Sequence, residues 1–261
     1  MIPTATTPHL GQYYDETFYE SQVAESLRSA QIYLGHLWKY FSPDAVLDVG
    51  CGRGSWLKAC HELGSTTSFG LDGDWNRQEL LLDKAINFRS IDLNKPFSLD
   101  RRVDLAMSLE VAEHLQPSSS SQFVQQMTNA ADAVLFGAAY TAQGGTNHIN
   151  EQPHTYWAKL FIERGYAPFD FFRPTFWDND NVCFWYRQNT FLYLKRGSLP
   201  YERITSQGFS AMADISFMNC IHPKLYELKL TPRLRFRDHI EDLIPSFARS
   251  IRYRMGARNL G

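Results

Sequence analysis

The sequence has little of what marks several common protein classes. Among its 261 residues are only four cysteines, Cys51, Cys60, Cys183 and Cys220, and no two form a CxxC pair. That spacing excludes the usual structural zinc site and offers no disulfide framework. No apolar run approaches the roughly 18 residues that suggest a membrane span. The formal net charge of -2 does not announce nucleic acid, although it is compatible with a local basic patch. The opening MIPTATTPHL has neither the basic start nor the apolar run of a secretory signal, so a reduced, cytoplasmic protein is expected. No internal repeat is visible. The remaining composition is that of a globular chain, 44% hydrophobic and 21% charged, with aromatics high at 14%.

What is present alternates. Val23, Leu27, Leu34, Leu37, Trp38 and Phe41 recur at three- and four-residue steps and predict one amphipathic helix over 16–41, ended by Pro43. AVLDVG (45–50) has the composition of a strand buried on both faces. Residues 55–63 predict a helix that Gly64 would cap. Further strands are expected at 67–72, 87–92, 103–109, 133–140, 166–173 and 190–196, with helices at 118–132 and 153–164. This alternation predicts an α/β fold, a mainly parallel sheet with helices on both faces. The chain divides into an N-terminal helical cap (1–41), a core (42–197) and a C-terminal extension (198–261). Residues 219–261 hold nine Lys/Arg against four Asp/Glu. A basic, Pro-interrupted helix is expected there, read first as a solvated face or packing arm.

VLDVGCGRGSW (46–56) reads as strand, glycine-rich turn and helix start. Gly50, Gly52 and Gly54 permit a tight turn and leave no Cβ against a ligand. Asp72 ends the next strand about 20 residues on, where a ribose diol would be gripped, and Asp92 ends the strand after that. Dinucleotide loops prefer GxGxxG beneath a pyrophosphate. Here the pattern is Asp48-x-Gly50-x-Gly52-x-Gly54, and an acid ahead of the glycines suits a ligand bearing an ammonium group and a sulfonium.

The stretch 46–140 resembles the core of class I S-adenosylmethionine (SAM)-dependent methyltransferases, with VLDVGCGRG matching that family's first motif. The resemblance implies a Rossmann-like seven-stranded sheet, mainly parallel with the last strand antiparallel. It also implies that Asp48, Gly50, Gly52 and Gly54 hold the methionine portion, Asp72 the ribose hydroxyls, and Asp92 with Leu93 the adenine edge. Leu109, ending the fourth strand, would face the cofactor.

EVAEH (110–114) follows that fourth strand. Helical spacing would set Glu110, Glu113 and His114 on one side of a turn. Two carboxylates and an imidazole are competent ligands for a divalent cation, and the mixed oxygen and nitrogen set favours Mn²⁺ or Mg²⁺. GGTNHINEQPH (144–154) supplies a fourth ligand, His148 first, with Glu151 and His154 as substitutes. The same residues admit two other readings. One is helix-start packing or SAM contact. The other is acid–base chemistry with His148 or His114 as general base. Glu-x-x-Glu-His with a distant histidine is similar to the metal-ligand pattern of small-RNA 2′-O-methyltransferases and to a run in ubiquinone-pathway O-methyltransferases. In that logic the metal grips two adjacent hydroxyls and lowers the pKa of one.

The aromatic stretch 156–189 is mostly core, with a break at 177–180 expected to form a loop between the last two strands. Trp177 and Trp185 there are candidates for substrate contact or for packing. Tyr13 and Tyr14 are expected to fold over the cofactor. The resulting expectation is an O-methyltransferase acting on a vicinal-diol-bearing small molecule, a sugar or glycosylated metabolite, with a catechol-like ring behind it. RNA 2′-O-methylation is a rival, favoured by the metal logic and the basic tail. Near-neutral charge and the lack of a recognisable RNA-binding module oppose it, so nucleic acid is the disfavoured partner. A non-catalytic binding subunit is the other rival, opposed by the intact glycine loop.

Overall fold

The computed structural model describes residues 16–230, with backbone alone for 16–22. Tyr13, Tyr14 and the basic helix expected beyond residue 230 lie outside the described residues. The chain forms two compact units, one through His222 and one from Pro223. The described part of the second is a helix, α8 (Pro223–Leu230). No helix among the described residues is long and apolar enough to cross a membrane.

The first unit opens with α1 (Glu16–Leu37), β1 (Ala45–Val49), α2 (Ser55–Glu62), β2 (Thr67–Asp72) and β3 (Asn87–Ser90). Next come β4 (Leu105–Leu109), α3 (Ser120–Ala130), β5 (Ala133–Gly137), α4 (His154–Ile162) and β6 (Tyr166–Phe169). The unit closes with α5 (Arg173–Phe176), α6 (Phe184–Asn189), β7 (Phe191–Lys195) and α7 (Leu199–Ser206). The strands make one seven-stranded sheet in the order β3-β2-β1-β4-β5-β7-β6. All neighbours are parallel except β7, which runs antiparallel to both β5 and β6.

Strand alternation sorts the core into two layers. Val46, Leu105, Met107 and Leu135 pack with Leu34 of α1 and Leu57 of α2. Leu47, Ala106, Val134 and Phe136 pack on the other face with Phe123 of α3 and Trp157 and Phe161 of α4. Because helices cover both faces, the central strands are apolar almost throughout. Asp48 is the exception in β1, on the α1 side. Strand order reverses between β1 and β4, the place where such sheets open a crevice at the carboxyl ends of their strands.

Several boundaries differ from the sequence expectation. α1 stops at Leu37 and unwinds through a turn in which Tyr40 N–H donates to Leu37 O (2.9 Å), ahead of Pro43. β3 ends at Ser90, two residues before Asp92, and β5 ends at Gly137. β6, an edge strand, ends at Phe169, so 170–173 are not strand. There Arg173 pairs with Asp170 (2.7 Å) and donates to Met218 O (2.8 Å) and Phe217 O (3.0 Å), turning the chain out of the sheet. Phe172 then stacks on Tyr33 of α1 at 4.5 Å. The expected loop at 177–180 does lie between the last two strands, where two short helices, α5 and α6, flank it. The compact unit also continues past residue 197 to His222, with Ile204 of α7 fully buried.

Candidate active site

The glycine loop after β1 is built by left-handed backbone. Gly50, Gly52 and Gly54 have φ of 84°, 52° and 79°. At Gly50 a Cβ would also overlap the Val111 side chain, so both conformation and packing demand glycine. Gly50→Ala is expected to lower the unfolding free energy by about 2–4 kcal/mol, from left-handed strain plus overpacking. Urea denaturation checks this, and an unchanged midpoint would refute the packing argument. At Gly52 a Cβ would meet nothing within 4 Å, so this peptide borders open space.

The loop is clamped from β2. Asp72 accepts from Gly52 N–H (2.6 Å) through one oxygen and from Gly73 N–H (2.7 Å) through the other. The Asn76 amide donates to Gly52 O. Asp72 therefore braces the loop, each carboxylate oxygen keeping a lone pair that could receive a ribose hydroxyl.

Beside the loop lies a cleft of about 210 Å³ lined by Val23, Ser26, Asp48, Gly50, Cys51, Gly52, Arg53, Ser55, Trp56, Leu109 and Tyr186. It stands where the strand order reverses. Asp48 is only 3% exposed, and among the described residues no cation pairs with it. Burial first, and the Asp72 charge second, push its carboxyl up to about 8. A cationic group placed against such a carboxyl would favour its ionised form.

Of the residues expected to hold a cofactor, Asp48, Gly50, Gly52 and Leu109 line this cleft. Gly54 starts α2, where a Cβ would overlap Ile86. Asp92 and Leu93 do not line it. Asp92 is exposed, accepting from Asn94 N–H (3.0 Å) and pairing with Lys95 (3.2 Å), and those contacts lower its pKa. Leu93 is buried in the α3-side core. Sequence reasoning missed Val23, Ser26, Trp56 and Tyr186. The hydroxyls of Ser26 and Tyr186 lie 3.1 Å apart, across 160 residues of chain, and no local pattern signals that pairing.

EVAEH does not form the expected helical face. Glu110 takes φ 57°, and a single 3-10 turn, Ala112–His114, follows. The left-handed residue separates the two carboxylates. Glu110 accepts from Asn189 Nδ2 (2.8 Å) and Gln143 Nε2 (3.0 Å). Glu113, His114 and His148 instead come together, with one ligand atom from each all within 4.8 Å of one another. Glu113 is 1% exposed, and neither of its oxygens has a hydrogen-bond partner. Burial, then the charge of Glu110, raise its pKa well above the usual carboxylate range, and the N–H groups of Glu113 and Ala139, near the carboxyl but outside hydrogen-bond geometry, offset this only in part.

The two imidazoles meet edge to face, at an interplanar angle of 86°, and each has an oxygen at its Nδ1. His114 Nδ1 lies 3.3 Å from Asn147 O, and His148 Nδ1 lies 2.8 Å from Glu151 Oε1. With N–H at each Nδ1, Nε2 is left as the basic nitrogen of both rings, whose centroids are 4.7 Å apart. Burial, then His148, lower the His114 pKa, which favours the neutral, ligating form. The segment carrying His148 is stitched to the 3-10 turn by Asn150, 2% exposed. Its backbone N–H donates to Glu113 O (2.9 Å), and its side chain donates to Ala112 O (3.2 Å) and Ser120 Oγ (3.0 Å). Glu110, Ala142 and Asn147 are the non-glycine residues with positive φ, so backbone strain among the described residues gathers around this cluster.

Glu151 and His154 do not join the cluster as ligands. Glu151 orients His148. His154 lies between Met218 O (2.7 Å) and Asn189 Oδ1 (3.0 Å), and burial lowers its pKa to about 4. Trp177 packs on His222 at 4.7 Å, and Trp185 packs between Phe184 and Tyr186. Neither lines the cleft. An unpartnered buried carboxylate beside two imidazoles with a basic nitrogen each is a donor set that fits a divalent cation.

A seven-stranded sheet with one reversed strand, and an acid–glycine loop at its switch point, are the arrangement that the resemblance to class I SAM-dependent methyltransferases implies. Residues 19–132 match the family model described as a methyltransferase domain. Similar solved structures include a SAM-dependent methyltransferase from Archaeoglobus fulgidus, 21% identical, covering 58% of this chain and 75% of that one (TM-score 0.47). The plantazolicin methyltransferase BpumL in complex with SAH is 14% identical over 69% of this chain and 88% of its own (TM-score 0.49). The methyltransferase domain of bacterial CtHen1-C is 17% identical over 64% and 96% (TM-score 0.48). No curated protein matches this sequence.

Proposed function

We propose that this enzyme methylates a hydroxyl of a small molecule bearing a vicinal diol, a sugar or glycosylated metabolite, with Glu113, His114 and His148 holding Mg²⁺ or Mn²⁺. The observation that carries the reading is the unpartnered, buried Glu113 carboxylate set against two imidazoles, four residues beyond the Leu109 that lines the cleft. SAM supplies a methyl group on a sulfonium, which passes to the acceptor oxygen as the C–S bond breaks and the C–O bond forms. A divalent cation, when bound, supplies a Lewis acid that lowers the pKa of a nearby hydroxyl.

The chain's own residues do the rest. Asp48 receives the cofactor's ammonium group, and the glycine loop gives the backbone room to approach it. Glu113 contributes the anionic ligand and the two imidazoles the neutral ones. Glu110, held by Gln143 and Asn189, belongs to an amide network rather than to the ligand set. The exposed His114 stands where the acceptor proton can leave to solvent. Rate enhancement then rests on alignment and on exclusion of water.

The test is calorimetric titration of Mn²⁺ and Mg²⁺ into protein saturated with S-adenosylhomocysteine. Saturable binding is expected in the wild type, weakened more than about 10-fold in both Glu113→Ala and His148→Ala. Normal binding of S-adenosylhomocysteine with no cation heat would remove the cation and widen the acceptor panel to single hydroxyls and amines. Activity on a short RNA but not on diol-bearing sugars would overturn the acceptor class.

A further inference from the structure

His148 reaches the cluster from the segment between β5 and α4, sixteen residues (138–153) without a regular element. A side chain on such a loop is aimed only by what holds it. Glu151 Oε1 stands 2.8 Å from His148 Nδ1 and also accepts from Gly144 N–H at 2.6 Å. One oxygen thus fastens residues on both sides of His148 and the ring itself. The two side chains are only 12% and 16% exposed, so water competes weakly for the contact. On the far edge of the ring, a Cβ at Gly145 would overlap Nε2, so glycine there leaves Nε2 its space.

We propose that Glu151 is a positioning residue that holds His148 in the Nδ1–H form, leaving Nε2 as the ligating nitrogen. The cation is part of the function proposed above, and the inference rests on that reading for its purpose. The arrangement itself does not need a bound ion. A carboxylate accepts the Nδ1–H bond, fixes the ring plane and makes the opposite nitrogen more basic. Free imidazole side chains favour the opposite tautomer, so the protein must enforce this one.

The experiment uses the full chain without cation and records imidazole nitrogen NMR at a pH where histidine is neutral, with His148→Ala assigning the signals. Wild type is expected to show a protonated Nδ1 and an unprotonated Nε2. Glu151→Gln keeps an acceptor oxygen and should retain that form, whereas Glu151→Ala should move His148 to Nε2–H. Mn²⁺ affinity should fall about 10- to 100-fold in Glu151→Ala and much less in Glu151→Gln, with S-adenosylhomocysteine affinity unchanged in both. An Nε2–H signal in wild type, or no change of tautomer in Glu151→Ala, overturns the inference. Equal loss of Mn²⁺ affinity in both variants also overturns it, because Glu151 would then act through its charge or as a ligand. Wild type that shows the expected tautomers without binding Mn²⁺ upholds the positioning role and instead removes the cation from the proposed function.

Discussion

Asp48→Asn is expected to weaken S-adenosylhomocysteine binding about 100-fold, close to 3 kcal/mol, while making the ligand-free protein more stable at alkaline pH. Both effects have one cause. The Asp48 carboxyl is buried beside Asp72 and titrates near 8 in the folded chain, against about 3.9 when exposed to water. Between those two values the folded state holds a proton that the unfolded state has released. Stability therefore falls as pH rises, and the loss is complete above the folded pKa. Asparagine has the same shape and no proton to lose, so this slope disappears. With a few kcal/mol at stake, the variant should melt roughly 5–10 °C higher above pH 8 in a chain of this size.

If Asp48 receives the ammonium group as proposed, the same carboxyl is expected to make cofactor binding proton-linked. Below pH 8 the ligand's ammonium must find an ionised Asp48, so binding releases a proton. Above about pH 8 Asp48 is already ionised in the ligand-free protein and binding no longer releases a proton; once the pH passes the higher pKa of the ligand's own amino group, binding takes one up. Affinity should peak between those two values. Calorimetry in buffers of different ionisation enthalpy reads the sign on each side, and a pH-independent affinity would show that Asp48 does not face the ammonium group.

The second large effect is expected at Glu113. Glu113→Gln should abolish cation binding and raise the stability of the cation-free protein at alkaline pH, where the wild type must ionise this buried carboxyl or hold its proton against solvent. The wild-type carboxylate is 1% exposed and unpartnered, and the amide removes the charge at nearly constant volume. Melting with and without Mn²⁺ separates the outcomes. Wild type should gain stability from the ion and the variant should not. A variant that is less stable than wild type in the absence of ions would mean that Glu113 has a structural partner.

Much of this molecule was legible in the chain. The β1 strand, the glycine loop, the α2 cap and the parallel frame follow from local chemistry. Apolar runs long enough only for buried strands alternate with amphipathic helices, and glycines stand where the backbone must be left-handed. Asp48 was also legible, because its place depends on the strand it belongs to and the loop it precedes.

The legibility failed where the chain leaves its own local preference. Local spacing sets Glu110 on one helical face with Glu113 and His114, but a glutamate at φ 57° cannot be foreseen from propensity. It is stabilised by Asn189 and Gln143, which come from β7's preceding helix and the β5 loop. The place of Asp92 is also set by more than its strand. β3 is an edge strand that ends early, and a surface lysine claimed its last acid.

The sequence by itself determined the alternating parallel frame, the acid–glycine loop after β1 and the set of side chains available for a cation. Only the tertiary structure decided which of those side chains meet. Asn150 stitches one irregular segment onto another, Glu151 turns His148, and the amides of Gln143 and Asn189 draw Glu110 aside. The physical reason is that local preferences act over a few residues, whereas buried polar groups must find partners wherever the fold places them.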